Sequence, residues 1–190
     1  MNLANRITMF RIFLAPVVLI VFEAILAFPP YQLPLLISLA VIFVVSEFSD
    51  VLDGLVARRL GQTSSIGKLL DPFSDVVSRL TVFLCLLMVG IAPWWAFAVI
   101  LYRELGMTFL RMVMVLQGRV QAASVWGKLK AWVYFFTSLS GLGQFFALKL
   151  FPAVSFSLWN LITQVLFALA AAAAVLSFIP YWRTFRRRSS

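Results

Sequence analysis

The 190-residue chain has no histidine and a single cysteine, Cys85. Without histidine, Ser-His and Cys-His nucleophiles and histidine-ligated zinc sites are excluded. One cysteine can form neither an internal disulfide nor a multi-cysteine metal site. Oxygen ligands therefore remain for any metal ion, and oxygen ligands suit hard divalent cations.

Charge is also scarce, because 12% of the residues are charged while 63% are hydrophobic. Together with a mean hydropathy of +1.00, this composition is typical of an integral membrane protein. At about 20 apolar residues per spanning helix, a chain of this length holds about six spans and no separate soluble domain. We attribute the net charge of +9 to a basic rim facing anionic lipid, and we expect no nucleic acid partner.

Hydrophobic segments predict an all-α integral membrane protein with six transmembrane helices in a single domain, residues 1–190. The prolines at 29, 30, 34, 93 and 152 fall in or beside short connectors, and the alanine run 170–174 predicts a close helix-packing face. The predicted spans are about 10–28, 35–57, 71–91, 93–116, 124–148 and 155–182.

Basic residues predict the topology. They lie before span one, between spans two and three, between four and five, and after span six, whereas the opposite side carries only Lys149. By the positive-inside rule, both termini are predicted to be cytoplasmic.

The acidic residues are concentrated, since all four aspartates fall within residues 50–75. A charge near the bilayer centre costs roughly 2.5–3.5 kcal/mol, so acids in predicted spans suggest a functional site. Asp50 and Asp53 share one helix face by their i,i+3 spacing, and Asp71 and Asp75 share another by their i,i+4 spacing. If the two faces meet, two Mg²⁺ or Mn²⁺ ions would neutralise the four carboxylates and could bridge a pyrophosphate.

Neighbouring residues favour a phosphate-containing substrate. Gly54 and Gly67 would open space near the backbone, and Arg58 could hold a phosphate. A small cation transporter is an alternative from another class. A transporter would have no clear use for Gly54, Arg58 and Gly67. Its acidic residues would also lie along a path across the membrane rather than cluster at one membrane face.

This stretch resembles the signature of the CDP-alcohol phosphotransferase family, D-x2-D-G-x2-A-R-x8-G-x3-D-x3-D, at all eight fixed positions. The resemblance implies six spans, a homodimer, and Asp50, Asp53 and Asp71 as metal ligands. It implies that Asp75 helps to bind metal and also serves as general base. It implies that the CDP pocket is lined by Gly54, Ala57, Arg58 and Gly67.

A second stretch suggests the acceptor alcohol. Arg103-Glu104, Arg111 and the Gly-Lys-Leu-Lys run from Gly127 to Lys130 resemble phosphatidylglycerophosphate synthases of that family. We expect the side chains of Arg103, Arg111, Lys128 and Lys130 to converge from spans four and five and to bind the phosphate of glycerol 3-phosphate. Positive-inside anchoring is the alternative for each of them. Glu104 would orient or neutralise a basic residue.

The implied reaction transfers a phosphatidyl group from CDP-diacylglycerol to glycerol 3-phosphate, giving phosphatidylglycerophosphate and CMP. The implied location is the cytoplasmic face of a bacterial inner membrane. Val76 and Ala131 depart from the residues usual in those synthases. Phosphatidylglycerol, serine and inositol phosphate therefore stay open as alternative acceptors.

The N-terminal residues resemble the family's interfacial segment before span one, which predicts a short separate helix at the membrane surface. Asn5, Thr8 and Arg11 would share one face of it and help to shape the nucleotide pocket. A simple amphipathic anchor is the alternative. Farther along the chain, Glu23 and Arg79 lie within predicted spans, where an ion pair with another helix or packing against a polar cavity is the default role.

Overall fold

The computed structural model describes residues 3–59, 67–116 and 125–187, and every long element in these ranges is an α-helix. The side chains of residues 3–7, 50–59, 68, 69, 125, 126, 180 and 183–187 lie outside the description. The helices are α1 (Leu3–Ala27), α2 (Gln32–Arg59), α3 (Gly67–Met88), α4 (Trp94–Leu116), α5 (Val125–Leu150) and α6 (Ser157–Arg187). The all-α prediction is confirmed for these residues.

Glycine and proline set the connection from α3 to α4. Gly90 has a φ of +75°, and its amide donates to the Leu87 carbonyl at 3.0 Å. This left-handed residue ends α3, as glycine commonly does at a helix C-terminus. The Pro93 carbonyl then accepts the amides of Ala96 and Phe97, both at 3.1 Å, and so begins α4.

The expectation of a separate N-terminal helix was wrong. Residues 3–27 form one continuous helix, because neither glycine nor proline interrupts the chain before Pro16. Thr8 and Arg11 therefore belong to the same helix as the apolar residues that follow them.

Four described segments are long and apolar enough to cross a membrane. They are Thr8–Ala27, Pro29–Ser49, Gly127–Leu150 and Ser157–Ile179, and they indicate a membrane protein. Helices α3 and α4 are absent from this group because every 18-residue window in either helix contains at least three charged residues. These two helices carry most of the predicted site residues, and their spanning of a membrane stays a prediction, as does the position of the termini.

Contacts divide the chain into two compact units, Met1–Cys85 and Leu86–Ser190. In the first unit α1 packs along α2, joined by a three-residue 3-10 turn at Pro29–Tyr31. Each helix contributes two buried apolar side chains, Phe22 and Ile25 from α1 and Leu36 and Leu39 from α2. The single-domain prediction stays a prediction.

In the second unit α6 packs against both α4 and α5. Ala170, Ala171 and Ala174 are buried, so the alanine run does form a close packing face. Polar side chains also join α5 to α6, since the hydroxyls of Ser140 and Thr163 lie 2.9 Å apart. Such interhelical hydrogen bonds are typical where helices pack in an apolar environment.

Gly143 offers a test of this packing. A Cβ atom at this position would lie 2.9 Å from Cζ2 of Trp159, a rigid ring whose indole N–H donates to Ser140 Oγ at 3.3 Å. We expect Gly143→Ala to lower the free energy of unfolding by about 1–3 kcal/mol through overpacking, measured as thermal unfolding in detergent by tryptophan fluorescence.

Gly106→Ala is the matched control. A Cβ atom there would lie 3.8 Å from Phe178 Cε2, which is ordinary contact, so the unfolding midpoint should stay unchanged or rise slightly. Equal midpoints for the two variants would contradict the close approach of Trp159 to α5.

Candidate active site

Two of the four motif aspartates have described side chains, and both lie on the first turns of α3. Asp71 and Asp75 are one turn apart on the same face. Their side chains are 58% and 34% exposed. Both carboxylates are therefore accessible to a ligand, although they belong to a largely apolar helix.

Arg11 of α1 shows that these two carboxylates converge. Its Nη1 lies 3.9 Å from Asp71 Oδ1, and its Nη2 lies 3.6 Å from Asp75 Oδ1. Arg11 is 2% exposed, and Thr8, one turn earlier on the same helix, is also buried. The structure therefore brings two residues of the predicted N-terminal face, Thr8 and Arg11, into the interior and places Arg11 beside the acids.

A second arginine fixes the orientation of Asp75. Arg79 Nε donates to Asp75 Oδ1 at 3.1 Å, and Arg79 Nη2 lies 3.9 Å from Glu47 Oε2 on α2. Arg79 thus links the carboxylate of α3 to α2, and its predicted pairing with an acid of another helix is confirmed. Its second partner, Asp75, lies four residues earlier on the same helix, and this i,i+4 spacing could have predicted the pair.

The remaining motif residues before the connector lie on α2, which continues to Arg59. The helical backbone confirms that the i,i+3 spacing of Asp50 and Asp53 falls on a helix. The side chains of these two residues, and of Asn5 in α1, lie outside the description, as do Gly54, Ala57 and Arg58. Gly67 is the first residue of α3.

The donors present fit a divalent metal ion. Asp71 and Asp75 offer partly exposed carboxylate oxygens that lie within 4 Å of the same guanidinium, and carboxylate oxygens are the preferred ligands of Mg²⁺ and similar hard cations. Among the residues that the structure describes, no three acidic, histidine or cysteine side chains form a metal-sized group. Asp50 and Asp53, the other two predicted ligands, have side chains outside the described part of the chain.

A different charged cluster lies in the second unit, and Glu104 is its centre. This residue is 3% exposed. Arg103 Nη1 donates to both carboxylate oxygens at 2.9 Å. Glu104 Oε1 also accepts from Lys130 Nζ at 2.6 Å and from the Tyr134 hydroxyl at 3.0 Å. The predicted role of Glu104, to orient or neutralise a basic residue, is confirmed.

Arg103 also connects α4 to α6. Its Nε donates to the Ala174 carbonyl at 3.1 Å, and its Nη2 donates to Ser177 Oγ at 2.8 Å. Both Arg103 and Ser177 are buried. Neither Ser177 nor Tyr134 was predicted, and Tyr134 could have been found from its position one turn after Lys130 on α5.

The other two predicted acceptor residues lie elsewhere. The Arg111 guanidinium lies over the Tyr181 ring at 6.0 Å, and Tyr181 packs with Met107 and Leu110. Lys128 is exposed. Of the four predicted basic residues, the structure therefore brings Arg103 and Lys130 together, on a shared carboxylate.

Comparisons with known proteins cover nearly the whole chain. The family model described as CDP-alcohol phosphatidyltransferase matches residues 1–179. Three similar proteins share the name CDP-diacylglycerol--glycerol-3-phosphate 3-phosphatidyltransferase. The one from Treponema pallidum (strain Nichols) is 35% identical over 165 residues, covering 85% of this chain and 76% of the relative.

The other two give similar coverage. The protein from Bacillus subtilis (strain 168) is 32% identical over 166 residues, 83% of this chain and 86% of the relative. The protein from Pseudomonas fluorescens is 30% identical over 186 residues, 96% of this chain and 89% of the relative.

Removing Arg103 tests the buried cluster as a structural unit. Arg103→Met would remove the guanidinium that donates to both oxygens of the buried Glu104 carboxylate. It would also remove both hydrogen bonds from Arg103 to α6. We expect the free energy of unfolding to fall by about 3–5 kcal/mol, as for other broken buried ion pairs, measured by thermal unfolding in detergent.

Arg111→Met is the control for loss of a cationic side chain from the same helix. Its guanidinium faces an aromatic ring at 6.0 Å, a contact worth about 0.5–1 kcal/mol. Similar small shifts for the two variants would contradict the anchoring role of Arg103.

Proposed function

Because the chain belongs to the CDP-alcohol phosphatidyltransferase family, we propose that it transfers a phosphatidyl group from CDP-diacylglycerol to glycerol 3-phosphate, giving phosphatidylglycerophosphate and CMP. The observation that carries the proposal is the family match over residues 1–179 in a chain with all eight signature residues. The names of the three relatives support this acceptor. Family membership also makes the protein an enzyme and argues against a cation transporter.

Members of this family generally depend on a divalent metal ion. Asp50, Asp53, Asp71 and Asp75 would hold it, and we propose two ions, either Mg²⁺ or Mn²⁺. When bound, such ions supply positive charge that offsets the charge of the substrate's pyrophosphate. The exposed, converging carboxylates of Asp71 and Asp75 support this assignment.

Asp75 is the proposed general base. The acceptor's hydroxyl oxygen forms a bond to the phosphorus that carries the diacylglycerol, and its proton passes to the Asp75 carboxylate. The bond from that phosphorus to the bridging oxygen breaks, and CMP departs with this oxygen. The hydrogen bond from Arg79 Nε to Asp75 Oδ1 holds the carboxylate in one orientation for the transfer.

The nucleotide is assigned to the first unit. Gly54, Ala57, Arg58 and Gly67 would line the CDP pocket, with Asn5 and Thr8 contributing from α1. The buried position of Thr8, one turn from Arg11 and its acidic partners, supports a place for α1 in this pocket.

The acceptor's phosphate is assigned to basic residues of the second unit. Arg103, Arg111, Lys128 and Lys130 supply positive charge, and charge-assisted hydrogen bonds to phosphate are among the stronger polar contacts in proteins. The pairing of Arg103 and Lys130 around one carboxylate supports a preorganised arrangement. An acceptor that carries its own phosphate matches this charge better than a neutral alcohol does.

Location and assembly follow from the same reasoning. The four long apolar helices support a membrane protein, and the basic residues support an active site on the cytoplasmic side of a bacterial inner membrane. Membrane lipid surrounds the helices and supplies CDP-diacylglycerol. A homodimer is proposed from the family resemblance.

The first test is CMP release from CDP-diacylglycerol by the purified protein with Mg²⁺, one candidate alcohol at a time. Glycerol 3-phosphate should support release, and Asp75→Asn should lower the rate roughly 100- to 10,000-fold, the usual contribution of a general base. Glu23→Gln removes a carboxylate of α1 outside both clusters and should leave the rate unchanged.

Two results would contradict the proposal. Release with phosphatidylglycerol, serine or inositol phosphate but not with glycerol 3-phosphate would overturn the acceptor. An Asp75→Asn variant as active as the wild type would overturn the role of the base.

Metal dependence is tested separately. Chelation by EDTA should abolish CMP release, and added Mg²⁺ or Mn²⁺ should restore it. Four carboxylates repel a pyrophosphate unless bound cations neutralise them. Comparison of the two ions identifies the better one. Full activity after dialysis against EDTA would refute the proposed metal site.

A further inference from the structure

Glu104 is an unusual residue in the second unit because of the charges around it. Residues 86–190 contain ten basic residues and a single acid, Glu104. This acid is neither at the surface nor at a helix end, but buried within α4. A buried carboxylate is costly unless it is paired and hydrogen-bonded, so its position calls for a physical explanation.

A structural ion pair would be complete with Arg103 alone. Arg103 reaches both oxygens of Glu104, and its Nε and Nη2 donate to Ala174 and Ser177 of α6. Lys130 therefore brings a second positive charge to a carboxylate that Arg103 already balances. Among the described residues, the cluster thus pairs two cations with one carboxylate, and clustered cations favour the approach of an anion.

Lys130 is the cation better suited to meet that anion. Its side chain is 12% exposed, against 5% for Arg103, and an ammonium on a flexible stem has three donors to distribute. Its Nζ lies 2.6 Å from Glu104 Oε1 and 4.7 Å from the centre of the Tyr134 ring. The Tyr134 hydroxyl donates to the same Oε1 atom, so both partners hold the ammonium in one place.

We propose that Glu104 is a positioning residue for acceptor binding: Arg103 and Tyr134 hold its carboxylate, and the carboxylate holds the Lys130 ammonium where it binds the acceptor's phosphate. This inference rests on the proposed function and refines it. Arg103 then acts indirectly, by fixing Glu104 against α6, while Lys130 makes the phosphate contact. A fixed ammonium loses less conformational entropy on binding than a mobile one, and this lowers the KM for the acceptor.

The test is a double-mutant cycle on the full-length protein. The KM for glycerol 3-phosphate, the KM for CDP-diacylglycerol and kcat are measured for the wild type, Glu104→Gln, Lys130→Met and the double variant. Glu104→Gln keeps the shape of the side chain and removes its charge. We expect it to raise the KM for glycerol 3-phosphate roughly tenfold, while kcat and the KM for CDP-diacylglycerol stay near their wild-type values.

The double variant separates a positioning role from an independent one. If Glu104 acts through Lys130, adding Glu104→Gln to Lys130→Met produces no further rise in the KM for glycerol 3-phosphate. Glu104→Asp keeps the charge on a shorter side chain and should give a KM between those of the wild type and Glu104→Gln. Glu23→Gln, the same change outside the cluster, should match the wild type in all three parameters.

Three results would overturn the inference. Glu104→Gln could leave the KM for glycerol 3-phosphate unchanged or lower it, the latter showing that the carboxylate repels the phosphate. The two substitutions could raise this KM independently and multiply in the double variant. The third result is a joint fall in kcat, in the affinity for both substrates and in the unfolding midpoint, which would identify Glu104 as structural.

Tyr134→Phe provides a second route if Glu104→Gln does not fold. It removes one donor to Glu104 Oε1 and keeps the ion pairs, so the KM for glycerol 3-phosphate should rise roughly two- to fivefold. In the Lys130→Met background, Tyr134→Phe should not raise this KM further. A wild type that does not use glycerol 3-phosphate overturns the proposed function and this inference together. A Lys130→Met variant with a wild-type KM overturns the inference alone.

Discussion

The energetic cost of placing charge among apolar residues is the constraint on which both candidate clusters depend. In the first unit, Asp71, Asp75 and Glu47 each lie within 4 Å of an arginine, either Arg11 or Arg79. In the second, Glu104 is held by Arg103 and Lys130. These charged residues are thus tolerated through specific partners, and the partners define the geometry available for chemistry.

The two clusters meet this constraint in different ways. Asp71 is 58% exposed, so its carboxylate can exchange a guanidinium about 4 Å away for a bound cation at little cost in desolvation. Glu104 is almost fully buried, and its four hydrogen bonds could not be replaced one by one without leaving a buried charge unsatisfied. The first arrangement suits a site that binds and releases ligands, and the second suits a fixed support for one.

Local sequence predicted the elements better than it predicted the contacts between them. Proline and glycine marked the connectors, and the spacing of Asp71 and Asp75 correctly placed them on one helix face. The separate N-terminal helix was wrong because a resemblance, rather than a helix-breaking residue, suggested the boundary. The pairing of Arg11 with Asp71, and of Arg103 with Ser177, joins residues at least 60 positions apart, so packing decides it and no local pattern reveals it.

The adjacency of Arg103 and Glu104 has a consequence for biogenesis. Arg103 donates hydrogen bonds to Ala174 and Ser177, which follow it by 71 and 74 residues. At about 5–20 residues per second, translation takes on the order of 4–15 seconds to cover these separations. During this interval α4 has left the ribosome before its partners on α6 exist. Because the two opposite charges are neighbours in the chain, they are made together, and this pair adds a dipole rather than a net charge to the nascent helix.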